Sequence, residues 1–209
     1  VVIPLISGGA LNSLIDALRG EIPKLVQVSA LAGFIALMGL FTPAASSSFS
    51  REGSQFWISQ VIPVSARIQV NGKILYSYII TALSVPLVLL ISLVILPLGP
   101  LELLLVVVLG LIASLPAIVV SLLIDLLRPY LKWDNPQKAI KQNLNVIFAM
   151  LAGGIIYALT ILAGWLTYQF TGSDLLVYLA AGTLSLVIGG LLYLLLIRIA
   201  PNRYRSIEI

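Results

Sequence analysis

The chain has 209 residues, 60% of them hydrophobic and 10% charged, and twelve Lys and Arg against eight Asp and Glu give a net charge of +4. Together with a mean hydropathy of +1.10, this describes a polytopic membrane protein rather than a soluble domain around a buried core. No Cys and no His occur, which excludes disulfides, thiolate or His-ligated metal sites, thiol nucleophiles and Ser-His catalysis.

Five uncharged runs, 25–50, 74–101, 103–124, 142–173 and 175–197, each exceed the about 20 residues a helix needs to cross a bilayer. The expectation is one all-α transmembrane domain over 1–209 with short amphipathic cytoplasmic helices and spans near 25–48, 74–97, 101–127, 144–169 and 175–198. Lys and Arg number two before the first span, three between the first and second, four between the third and fourth and three in the tail, with none in the other two connectors. If all five runs cross, one face collects ten basic residues and the other two, so the positive-inside rule puts the N-terminus outside and the C-terminus in the cytoplasm. Short juxtamembrane loops without a basic stripe or recognition motif speak against nucleic acid as a partner.

Residues 1–6 are apolar and lack a basic stretch ahead of them, so they read as the end of an earlier span in a longer protein rather than as a signal peptide. Residues 7–24 are expected to form an external connector with a short helix over 11–18. In the spans, Pro86 and Pro116 remove backbone donors and predict ordinary kinks, with a gating hinge as the alternative. Ser29 with Gly33, Ala32 with Ala36, Ala149 with Gly153, and the pair Gly189 and Gly190 allow close helix approach. Tyr76, Tyr78 and Tyr168 lie toward span ends, where interfacial belts place them.

Glu102 marks the external boundary of the third span. Asp125 lies near the other end of that span, and its expected role is an interfacial acid paired with Arg128 at i, i+3. The sharper alternative is a proton or ion site.

The first basic connector contains Ser50-Arg51-Glu52-Gly53, then Phe56 and Trp57, and stops at Pro63. Trp57, Ile58, Val61 and Ile62 repeat at helical spacing opposite Ser59 and Gln60, which predicts a short amphipathic helix over 54–62. Two roles suit it: a membrane-surface anchor, or a docking helix for a soluble partner. The second basic connector reads Trp133-Asp134-Asn135-Pro136-Gln137-Lys138-Ala139-Ile140-Lys141-Gln142-Asn143. Asn135 suits an N-cap and Pro136 the first helical position, so a helix is expected to start there and run into the fourth span. Lys138 and Lys141 share one face of it, suited to lipid phosphates or an acidic partner surface.

Both connectors resemble those of bacterial type-2 ABC exporter permeases, chiefly from Gram-positive bacteria. In that family a Ser-Arg-Glu-Gly run with an aromatic and a Pro-containing turn follows one span, and a Trp-Asp-Asn-Pro-Gln-Lys run precedes a later one. The resemblance implies an all-helical, multi-pass plasma-membrane subunit without catalytic activity of its own, which works with a separate ATPase. Arg51, Glu52, Phe56 and Trp57 would then contact that ATPase, and Trp133, Asp134, Lys138 and Lys141 would form a second cytoplasmic contact. The chain has no G-x-x-x-x-G-K-[ST] loop, and Asn71-Gly72-Lys73 lacks both the first Gly and the hydroxyl residue. Family members are considerably longer, with further spans ahead of the matched region, so the resemblance leaves independent transport by this stretch open. A secondary carrier, a channel-like protein or a membrane scaffold without an ATPase remain alternatives. No cofactor or substrate residues are assigned.

Overall fold

In the computed structural model of the chain, residues 22–96, 98–135 and 137–207 are described. The expected N-terminal connector with its helix over 11–18 lies outside them, as does Pro136. The described elements are α1 (Lys24–Phe41), α2 (Pro43–Ser46), a 3-10 helix (Ser50–Gln55), α3 (Phe56–Val61), α4 (Ala66–Ala82), α5 (Val85–Ile95), α6 (Pro100–Leu127), α7 (Lys138–Lys141), α8 (Leu144–Thr171) and α9 (Asp174–Ser206), with no strand among the described residues. Five helical stretches are long and apolar enough to cross a membrane: Lys24–Val61, Ala66–Leu93, Pro100–Leu127, Lys138–Thr171 and Asp174–Ser206. The protein is an all-α polytopic membrane protein with the expected number and order of spans.

Helix α6 is the hub. It packs against α1, α4, α8 and α9, and its cytoplasm-expected half is buried on every side, including the consecutive residues Pro116, Ala117, Ile118 and Val119. A helix covered all round reads as continuously apolar rather than striped, which is why this span has the highest hydropathy of the five, 3.0. Close packing is carried by glycines at crossings. A Cβ on Gly110 of α6 would stand 2.8 Å from Ile35 Cβ and 3.0 Å from the Ala32 carbonyl of α1, one on Gly153 of α8 would stand 2.4 Å from Leu40 Cδ1, and one on Gly189 of α9 would stand 2.7 Å from Leu115 Cγ. Of the expected small-residue contacts, that of Ser29 with Gly33 is not made, and in the pair Gly189 and Gly190 only Gly189 makes one. Ser29 is exposed, and Gly33 and Gly190 face open space.

The prolines behave differently from one another. Pro116 sits inside a continuous α6. At Pro86 the second span does not kink but breaks into α4 and α5, and Ser84 covers the last turn by donating both its amide (3.0 Å) and its hydroxyl (2.7 Å) to the Thr81 carbonyl. The second span also starts earlier than its apolar run. Ser65 caps α4 by accepting from the Ile68 amide, so the polar stretch from Arg67 to Lys73 forms its first turns. At the opposite end, Lys24 of α1 pairs with Glu102 of α6 at 2.7 Å, which aligns these two helices in parallel.

Candidate functional site

Helix α1 ends where Thr42, held extended before Pro43, cannot continue it. The chain then folds inward, and Ser46, Ser47, Ser48, Phe49 and Ser50 are all buried. Buried backbone needs partners, and a side chain from the hub supplies them. Asp125, fully buried on α6, accepts from the amides of Phe49 (2.6 Å) and Ser50 (3.1 Å), from the Ser50 hydroxyl, and from Asn145 Nδ2 (2.9 Å). Both carboxylate oxygens therefore face N–H and O–H donors, an arrangement that ties backbone together rather than one that coordinates a cation.

From this joint the contacts spread into the second connector. Ser50 Oγ accepts from the Tyr130 amide (2.9 Å), Trp133 Nε1 donates to the Ser50 carbonyl (2.8 Å), and Asn145 Nδ2 also donates to the Arg128 carbonyl (2.6 Å). The Trp133 ring lies directly over Gly53, whose Cβ, if present, would stand 2.4 Å from a ring carbon. Gly53 has φ +52 and ψ −135, a backbone region that L side chains avoid. The two basic connectors, separate in sequence, thus form one plate fastened to the end of α6.

Around the plate, Glu52 pairs with Lys73 of α4 and accepts from the Ser59 hydroxyl (2.6 Å). Arg51 donates to the carbonyls of Ala44 (3.0 Å) and Ser47 (3.3 Å), and its guanidinium lies 5.6 Å from the centre of the Tyr76 ring. Helix α3 is amphipathic as expected, but its polar side is the docked one. Gln60 Nε2 donates to the carbonyls of Tyr204 (2.6 Å) and Ile207 (3.0 Å) at the end of α9, while Trp57, Ile58, Val61 and Ile62 are exposed.

Of the residues expected as partner contacts, Trp57 is 52% exposed and Phe56 is fully buried. The Phe56 ring packs 5.5 Å from that of Tyr204, so it is a core residue and not a surface one. Arg51 and Glu52 are half-buried and spend their polar atoms inside the protein. In the second connector Trp133 is the clamp just described, and Lys138 pairs with Asp134 at 2.6 Å. The hydrogen bond from Lys138 holds the exposed Asp134 carboxyl below the ordinary aspartate range. Lys141 is exposed and forms no ion pair among the described residues.

Two further expectations change. Asp125 does not pair with Arg128, whose guanidinium instead lies 5.3 Å from the centre of the Phe148 ring. The helix expected to run from Asn135 into the fourth span is interrupted. The four-residue α7 ends at Lys141, and Asn143 caps a new helix by accepting from the Asn145 amide (3.0 Å). Sequence reasoning missed Ser50 and Asn145 altogether. The available signal was polarity beside or inside an apolar run, since a carboxylate at Asp125 and an amide at Asn145 both require buried partners. Compared with known proteins, the chain matches no family model, no curated protein and no solved structure.

Proposed function

We propose that this chain is the membrane-spanning part of an ATP-driven exporter of the type-2 ABC permease kind, which couples ATP hydrolysis by a separate subunit to movement of a substrate across the plasma membrane. The face that gathers ten of the twelve Lys and Arg is cytoplasmic under the positive-inside rule. One observation carries the reading. An apolar helix surface, Trp57 to Ile62, is presented outward on a segment that is bonded, through Phe49, Ser50 and Asp125, to the helix touching four of the other spans. A surface anchor needs only the apolar side chains. A transmission element also needs a stiff attachment to the moving helices, and the Asp125 joint supplies one.

In this reading the ATPase seats on Trp57, Ile58 and Val61, because large apolar side chains at the centre of an interface carry most of its binding energy. Phe56, Arg51 and Glu52 keep the docking segment in shape behind that surface. The test is purification of the protein from its native membrane in mild detergent, with identification of co-purifying subunits and an ATPase assay. A stoichiometric ATPase lost on Trp57→Ala and Val61→Ala supports coupling. A preparation without ATPase, under conditions in which a known ABC complex stays intact, assigns the chain to a carrier or scaffold.

A further inference from the structure

Between the start of α4 and the end of α9 lies a cleft of about 520 Å³ whose lining includes Gln60, Ser65, Arg67, Gln69 and Arg205, within the size range of small-ligand sites. Its walls are built without a ligand. Gln60 bonds the last turn of α9, and Gln69 Nε2 donates to the carbonyls of Ser59 (2.8 Å) and Val64 (3.0 Å). Its charge, in contrast, is uncompensated among the described residues. Most cations nearby are occupied: Lys73 by Glu52, Arg51 by backbone carbonyls and Arg203 by the Leu127 carbonyl. Arg67 and Arg205 form no hydrogen bond or ion pair among the described residues, and no Asp or Glu lines the cleft.

The donors that remain suit a tetrahedral oxyanion. Two guanidiniums offer forked N–H groups. Ser65 accepts from the Ile68 amide and so retains its own O–H for a ligand. Ala66 and Arg67, which open the 17-residue α4, line the same cleft, and first-turn amides lack partners within their helix. On the membrane side, Tyr193 Oη donates to Asn71 Oδ1 (3.2 Å) and joins α9 to α4. Beyond that bond, both helices carry exposed apolar residues such as Leu75 and Leu194, which offer acyl chains a path.

We infer that this cleft binds the phosphate of an anionic membrane lipid, with Arg67 and Arg205 as its ligands and the acyl chains lying along α4 and α9. The inference needs only a membrane boundary at this level and does not depend on an ATPase partner. The bound lipid ties the segment after α3 to the end of α9, so its headgroup stiffens the same plate that Asp125 fastens from the other side.

The test uses the whole chain in neutral-detergent micelles, titrated with phosphatidylglycerol, phosphatidylcholine or inorganic phosphate, with retained lipid counted by native mass spectrometry and the melting temperature followed in parallel. Phosphatidylglycerol is expected to bind and phosphatidylcholine is not. Arg67→Gln with Arg205→Gln should weaken phosphatidylglycerol roughly thirtyfold, about 2 kcal/mol for two phosphate contacts. Arg205→Gln alone should weaken it about fivefold and serves if the double variant does not fold. Lys132→Gln, on the same face outside the cleft, should change nothing. Equal retention of phosphatidylglycerol by a folded Arg205→Gln variant overturns the site. Full displacement by inorganic phosphate at matched concentration overturns the lipid assignment in favour of a free-phosphate site.

Discussion

Removing the Asp125 carboxylate should loosen the plate that it fastens to the end of α6. In Asp125→Ala the Phe49 and Ser50 amides lose their acceptor in a fully buried setting, whereas Asn145 keeps the Arg128 carbonyl and the Ser50 hydroxyl can rotate. Each orphaned buried donor costs about 1–3 kcal/mol, so two amides put the expected loss at about 2–6 kcal/mol. Asp125→Asn keeps one acceptor oxygen but turns an NH₂ toward donors, and should lose about half as much. The assay is unfolding in mixed micelles of increasing SDS fraction. A Trp57→Phe, Trp165→Phe background leaves Trp133, which bonds the Ser50 carbonyl, as sole fluorescence reporter. The alanine variant should unfold at lower SDS and show red-shifted Trp133 emission before global unfolding. Stability within about 1 kcal/mol of the parent and unchanged Trp133 emission would refute the joint.

Gly53→Ala should cost about 3 kcal/mol, since it combines a positive φ with a Cβ driven into the Trp133 ring. Adding Trp133→Ala relieves the second part only, and the pair should fall short of additivity by about 1 kcal/mol in the same titration. Phe56→Ala should destabilise by about 3–5 kcal/mol and Trp57→Ala by less than about 1 kcal/mol, because Phe56 is fully buried and Trp57 is half exposed; a reversed order by thermal melting would show that α3 is seated the other way round. Gly110→Val should cost about 1–3 kcal/mol by overpacking the α1–α6 crossing, measurable as a lower melting temperature.

The five spans were legible because bilayer thickness imposes a length and an apolarity that a single sequence displays directly. Their ends were less so. The polar turns of α4 look like loop until Ser65 is seen to cap them, and the break at Pro86 depends on Ser84 satisfying the Thr81 carbonyl. The candidate site was legible only as two motifs. Nothing in the spacing of Ser50 and Trp133 says that they touch, since they are 83 positions apart. Asp125 was misread for a related reason. A neighbour at i+3 is the nearest local partner for a helical carboxylate, but a buried carboxylate goes where most donors converge, and two orphan amides, a hydroxyl and an amide group outbid one guanidinium. The outward apolar face of α3 follows the same rule: Gln60 and Ser59 have bonds to make inside, and the apolar stripe is left outward.

The non-covalent attachments of α3 lead to other helices than chain connectivity suggests. Covalently, the segment that holds α3 joins the first and second spans, so a displacement of it would be expected to tilt those two. Its non-covalent attachments lead elsewhere. Phe49 and Ser50 are bonded to α6, Phe49 and Phe56 both pack on Tyr204, and Gln60 holds the last turns of α9. Glu52 adds only one lateral tie to α4, through Lys73. Buried hydrogen bonds and packed aromatic rings hold these elements together, since breaking each leaves a desolvated group or removes an aromatic contact. The plate is therefore tied mainly to the third and fifth spans, which pack against each other, and to the fourth through Asn145. Spin-label distances across the α4–α9 boundary should then respond to Asp125→Ala more than distances across α1–α4, and the opposite ranking would favour the covalent route.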